Sequence, residues 1–158
     1  MNSELEDLYQ EVLLDHAKHP RNFGEINEGG VHVHGDNPSC GDEIHLHVRF
    51  GKEGRVDELK FTGQGCAISL ASASLMTVKL KGKTAAEAAE FSRAFREIVT
   101  TEVPDAAPAL GDLRVFSGVR RFPQRVKCAV LPWAAMEQAL RQTNGEATVS
   151  TETDSGGS

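Results

Sequence analysis

The stretch Asn37-Pro38-Ser39-Cys40-Gly41-Asp42 sets a thiol and a carboxylate two positions apart among turn-forming residues. Pro38 fixes one backbone dihedral and Gly41 supplies a pivot, so both side chains can converge on one point. Two further cysteines complete the set, Cys66 and Cys128, each in a marked local context. Cys40, Asp42, Cys66 and Cys128 make four candidate ligands, the number a closed tetrahedral zinc site needs. The bland alternative is three small, inert core thiols. An odd number of thiols cannot all pair within one chain, and their placement argues for metal binding or thiolate chemistry.

Cys66 lies in Gly63-Gln64-Gly65-Cys66-Ala67-Ile68-Ser69, where two glycines lead out of a strand into an Ala/Ser/Leu-rich helix. That helix is expected over about residues 67–81, closed by Gly82. It leaves Cys66 at or beside a helix N-terminus, where free N–H groups and the positive dipole end favour a thiolate. The glycines follow neither a GxGxxG pattern nor a Walker pattern, which argues against a phosphate cradle. The serines of this helix read as structural, because no serine nucleophile motif surrounds them.

Cys128 lies in Arg120-Arg121-Phe122-Pro123-Gln124-Arg125-Val126-Lys127-Cys128-Ala129-Val130-Leu131-Pro132-Trp133. A last helix is expected over about 128–142, since Pro132 is best tolerated in a first turn. Its predicted buried face is Ala129, Trp133, Met136 and Leu140. This reading puts Cys128 at a second helix start, with Arg125 and Lys127 alongside. Those two cations either act on a thiolate or face solvent; Arg120 and Arg121 read as a solvated pair.

The elements that must position these motifs follow from periodicity. Leu5, Leu8, Tyr9, Val12, Leu13 and His16 form one face of a helix over 3–18, with Ser3 and Glu6 as a capping box. His19-Pro20 ends it, and His16 and His19 read as helix-end partners rather than ligands. A Gly-rich connection (Gly24, Gly29, Gly30) leads to a strand over 31–34. Ile44, Leu46, Val48 and Phe50 alternate with His45, His47 and Arg49, a half-buried strand whose histidines belong to the wet face. Gly51-Lys52-Glu53-Gly54 turns the chain into a strand over 55–62, irregular enough to carry a bulge. Thr84 caps a helix over 85–100, with Ala88, Phe91, Phe95 and Ile98 or Val99 inward. Pro104 and Pro108 break regularity across 102–110, and a helical turn follows near 113–116.

The order helix, three strands, helices predicts an α+β sandwich: a three-stranded antiparallel sheet covered by helices on one face. All three cysteines can then meet at one end of the sheet. Residues 1–142 are expected to form a single domain, and the polar tail 143–158 to be disordered.

At 158 residues the chain is long enough to bury a real core, and 39% hydrophobic with 25% charged residues is ordinary for a globular protein. A net charge of −6 argues against a nucleic-acid surface. There is no apolar run of the length, about 18 residues, that a membrane helix requires. The acidic start Met1-Asn2-Ser3-Glu4-Leu5-Glu6-Asp7 has no signal core, so a cytoplasmic location is expected.

The three cysteine motifs, in order, together with Leu8-Tyr9, Asp15-His16 and His19-Pro20-Arg21-Asn22, resemble the IscU/NifU-like iron–sulfur assembly family over about residues 5–142. Within it the chain looks like the SufU branch, with a SufE/NifU-like fold. Scaffolds of the IscU type carry a histidine where Lys127 stands, and the segment between Cys66 and Cys128 is longer here. Phe122-Pro123-Gln124-Arg125-Val126-Lys127 also replaces their Leu-Pro-Pro-Val-Lys chaperone-recognition stretch.

The resemblance implies a zinc site of Cys40, Asp42, Cys66 and Cys128, and a sulfurtransferase role. Sulfur would come from the persulfide of a pyridoxal-phosphate cysteine desulfurase, SufS-like, and pass to the Suf assembly machinery. Cys40, the one thiol on a loop, is then the expected acceptor, with Arg125 assisting. The alternative the family offers is a scaffold that binds iron or a [2Fe–2S] cluster. A monomer or weak dimer is expected, with neither nucleic acid nor membrane as partner.

Overall fold

The computed structural model describes residues 3–26, 30–100, 108–142 and 145–150. Three strands, β1 (Val31–Asn37), β2 (Asp42–Phe50) and β3 (Val56–Gln64), form an antiparallel meander. Strict alternation divides the two faces. Val31, Val33, Ile44, Leu46, Val48, Val56, Leu59 and Phe61 point into the core and are at most 2% exposed. His32, His34, His45, His47 and Arg49 alternate with them on the opposite, half-buried face, as period-2 geometry requires.

β1 runs three residues beyond the predicted strand. Gly35 and Asp36 are poor strand formers alone, but pairing to β2 carries the ladder through to Asn37 opposite Asp42. The expected bulge is present. Arg49 pairs with Glu58 and Phe50 with Val56, which leaves Asp57 as the extra residue.

The tail departs from expectation. A fourth strand, β4 (Gly145–Ser150), pairs in parallel with β1, giving the sheet order β3-β2-β1-β4. Composition misses it because the pairing uses backbone groups of an otherwise open edge. Val149 of this strand packs on the core. Residues 143–144 and 151–158 of the expected disordered tail lie outside the described residues.

The helices are α1 (Ser3–Lys18), α2 (Ala67–Leu80), α3 (Ala85–Thr100) and α4 (Pro123–Leu140), with a 3-10 stretch, Pro108–Arg121, kinked at Gly111. That stretch is longer than the predicted turn at 113–116. Of the irregular connection expected over 102–110, residues 108–110 instead begin this 3-10 stretch, while 102–107 lie outside the described residues, as do Gly29, the side chains of Leu5, Leu8 and Tyr9, and the Ser3–Glu6 capping box. Helices α2 and α4 lie on the core face of the sheet; α1 packs on α2, and α3 on α4. Among the described residues no helix is long and apolar enough to cross a membrane.

Small residues let α2 be buried along most of its length, and its serines are structural. Ser72 Oγ donates to the Ala129 carbonyl at 2.6 Å and accepts from Trp133 Nε1 at 3.1 Å. Ser74 Oγ holds both His16 Nδ1 (2.7 Å) and the Arg21 amide (2.8 Å), docking α1 and its exit. His19 remains exposed beside Asp15. Thr84 and Glu87 cap α3 reciprocally, Glu87 N to Thr84 Oγ1 at 3.1 Å and Thr84 N to Glu87 Oε1 at 2.9 Å. Arg96 of α3 grips the Glu137 carboxylate with two bonds of 2.7 Å, and Ser92 donates to the same group. Trp133 stacks on Phe95 with ring centroids 4.7 Å apart.

The start of α4 corrects the sequence reading. The helix begins at Pro123, not Cys128, and Pro132 lies inside it. Pro123 takes the first helical position, where its missing N–H costs nothing. Pro132 then deprives the Cys128 carbonyl of its helical donor. Ser72, bonded to the next carbonyl, supports the helix at this interruption.

Candidate metal and thiol site

The β1–β2 hairpin carries the first two site residues. Cys40 N bonds Asn37 O at 3.1 Å and Gly41 N bonds Pro38 O at 3.3 Å, a tight turn over 38–41. Gly41 takes φ 72°, which L side chains disfavour. Asn37 and Asp42, paired at the base of the turn, continue the core-facing rows of their strands. Both are buried, at 0% and 2% exposure, at the end of the core face. Cys40, on the turn itself, is half-buried, while Pro38, Ser39 and Gly41 are exposed.

Cys66 is the N-cap of α2 with extended backbone, as expected. Its amide donates to Asp42 Oδ1 at 2.8 Å, and its thiol lies 3.8 Å from Asp42 Oδ2. Gly65 makes this approach possible. A Cβ there would lie 2.4 Å from Asp42 Oδ1 and 2.8 Å from its Cα, and φ is 148°. A side chain at 65 therefore displaces the carboxylate.

Cys128 comes from the second turn of α4, fully buried. It is not at a helix start, so the dipole has no part in its chemistry. Its thiol donates to the Gln124 carbonyl at 3.6 Å and receives Asn37 Nδ2 at 3.7 Å. Burial, then hydrogen bonding with Asp42 and Cys40, then the Cys66 sulfur push this thiol well above its ordinary range. The expected place of Cys128 at a helix start is thus overturned, and with it the helix N-terminus as a source of thiolate stabilisation.

Three of the four predicted ligands come together. Sγ of Cys40, a carboxylate oxygen of Asp42 and Sγ of Cys128 all lie within 4.8 Å of one another. Cys66 joins them through Asp42. Arg125, exposed on the first turn of α4, faces the same group. Cys66, then Cys128 and Cys40, raise its already high pKa. Lys127 is half-buried one position before Cys128.

The donor set fits a thiophilic divalent ion. Three sulfurs and a carboxylate packed together cannot all ionise without a cation, and a bound metal both requires and rewards their deprotonation. Asn37 Oδ1, beside them, is buried with no hydrogen-bond partner among the described residues, a polar group of the kind that packs around bound ions. The role of Asn37 escaped the sequence reading. Extending the Val31, Val33 alternation through residue 35 would have turned it inward.

The sequence matches the family described as NifU-like N terminal domain over residues 8–144. It is 41% identical over 144 residues to a Bacillus subtilis protein named zinc-dependent sulfurtransferase SufU, covering 91% of this chain and 97% of that one. It is 39% identical to a Streptococcus pyogenes protein named iron–sulfur cluster assembly scaffold protein IscU, covering 89% and 87%. A crystal structure from Fervidobacterium islandicum, described as an iron–sulfur cluster assembly scaffold for the SUF system, superposes with a TM-score of 0.76. It shares 36% identity and covers 82% of this chain and 94% of that one.

Proposed function

The chain belongs to the NifU-like N-terminal domain family, and from that premise we propose that it is a zinc-dependent sulfur carrier. In this reading it accepts sulfur from a cytoplasmic pyridoxal-phosphate cysteine desulfurase, SufS-like, and delivers it to the Suf machinery for iron–sulfur cluster assembly. The observation that carries the reading is the gathering of Cys40, Asp42 and Cys128 within 4.8 Å, with Cys40 on an exposed turn.

Cys40, Asp42, Cys66 and Cys128 would hold the ion. Zinc bound there supplies positive charge that keeps thiols ionised near neutral pH, without redox chemistry of its own. The remaining chemistry belongs to the chain. The Cys40 thiolate attacks the terminal sulfur of the desulfurase cysteine persulfide. A new S–S bond forms on Cys40, the old S–S bond breaks, and the desulfurase cysteine leaves as a thiolate. No electron acceptor is needed, because the sulfane sulfur keeps its oxidation state. Arg125 stabilises negative charge on the sulfurs. Cys66, set at a helix cap, and Cys128, locked inside α4, are suited to retention rather than transfer.

A scaffold reading rests on the same donor set, which also accepts iron, and on the scaffold relative. Lys127, at the position where the family resemblance leads one to expect a histidine in IscU-type scaffolds, weighs against it. The test is metal content after purification without added metal, then desulfurase turnover with Cys40→Ser. One zinc per chain, with stimulation and persulfide labelling lost in the variant, supports sulfur transfer. An iron–sulfur chromophore that moves to apo-acceptors makes the chain a scaffold.

A further inference from the structure

The open face of the sheet carries a second group of metal-ligating side chains. His34 and His45 are direct cross-strand partners, with ring centroids 4.6 Å apart and planes 17° from parallel. Glu43, two residues before His45 on β2, points to the same face, and its Oε2 lies 3.0 Å from His34 Nε2. One ligand atom from each of His34, Glu43 and His45 lies within 4.8 Å of the other two. All three are partly exposed, so an ion can enter from solvent. His32 and His47 stack beside them with ring centroids 4.4 Å apart, extending the imidazole array along the strands.

We propose that His34, Glu43 and His45 form a second site for a divalent transition ion, distinct from the thiol site. Two imidazoles and a carboxylate are a borderline donor set that suits Zn(II) and its neighbours in the series. Three protein ligands leave a coordination position open to water or a further ligand, unlike the four-ligand thiol site. Position within the sheet separates the two. Asp42 and Glu43 are adjacent in sequence, and the alternation of β2 turns Asp42 to the thiols and Glu43 to the histidines. The cross-strand pair brings its ligands together at no further cost in chain entropy, because the hairpin ladder already holds them in register. Exposure and the smaller ligand count make it the weaker site.

The test is equilibrium binding of Zn(II) to the full chain, with the imidazole resonances of the histidines followed by NMR. Wild type is expected to bind two ions per chain, the weaker one perturbing the His34 and His45 rings. His34→Gln/His45→Gln and Glu43→Gln should weaken that second event by about tenfold or more, with amide spectra showing an intact fold. A single equivalent that leaves these rings unperturbed would overturn the proposal. So would a second equivalent that survives in His34→Gln/His45→Gln. The rings report only the open face, so failure of the thiol-site reading is scored separately, by metal content and desulfurase turnover.

Discussion

Two candidate ligand clusters stand back to back across β2, and they differ in how they are built. At the end of the core face, Cys40, Asp42, Cys66 and Cys128 arrive from a hairpin turn, a strand, a helix cap and a helix interior. Asp42 and Cys128 are almost without solvent contact. On the open face, His34, Glu43 and His45 come from two paired strands and remain half-exposed. The first cluster depends on tertiary packing of α2 and α4 against the sheet, so its ligands are costly to bury and hard to replace. The second needs only the β1–β2 ladder. Burial and soft donors favour tight retention of a thiophilic ion; exposure and borderline donors favour exchange.

The largest effect that would sharpen this contrast is expected from Asp42→Ala. It removes a candidate ligand and the acceptor of the Cys66 amide together. Metal affinity at the thiol site should fall by more than the roughly 100-fold that marks the upper end for outer-shell changes, while Zn(II) binding at the histidines persists. Equal loss at both sites, measured by competition titration, would mean the two are not independent.

Gly65→Ala should come next. The new methyl meets Asp42 at 2.4 Å, so a stability loss of about 1–3 kcal/mol is expected together with weakened metal binding. Gly41→Ala is the control, since its Cβ meets nothing within 4 Å. It should cost only the backbone strain of about 1–2 kcal/mol. Denaturant melts with and without Zn(II) distinguish the two.

Glu137 tests whether anchoring α4 matters to the buried cluster alone. Burial would raise its pKa, but hydrogen bonds from Arg96 and Ser92 outweigh that and leave it lowered. A lowered folded-state pKa means the stabilisation is present above the unfolded carboxylate value and is lost as pH falls through the folded one. Glu137→Gln should therefore cost about 1–3 kcal/mol near neutral pH, with the gap to wild type narrowing in acid. A gap that is constant from neutral to acid pH would refute the assignment.

Asn37→Ala should have the smallest effect, lowering thiol-site affinity by about 10-fold through loss of the contact to Cys128. No change in metal affinity would show that Asn37 only fills space.

The amino-acid sequence alone marked the cysteines and Asp42 as candidates and determined the three antiparallel strands, the α3 cap at Thr84 and the place of Cys66 at a helix N-terminus. Each of these is written in short-range signals: turn residues, alternation and a capping box. The sequence misled at Cys128, because Pro132 reads locally as a first-turn proline. Packing of α2 through Ser72 lets the helix run through it from Pro123. It misled again at β4, where a tail read as disordered pairs along a neighbouring backbone edge. His45 and His47 were legible only as a wet face. Only strand pairing decided that His34 stands opposite His45 with Glu43 beside them, because register is a relation between two segments and neither carries it alone.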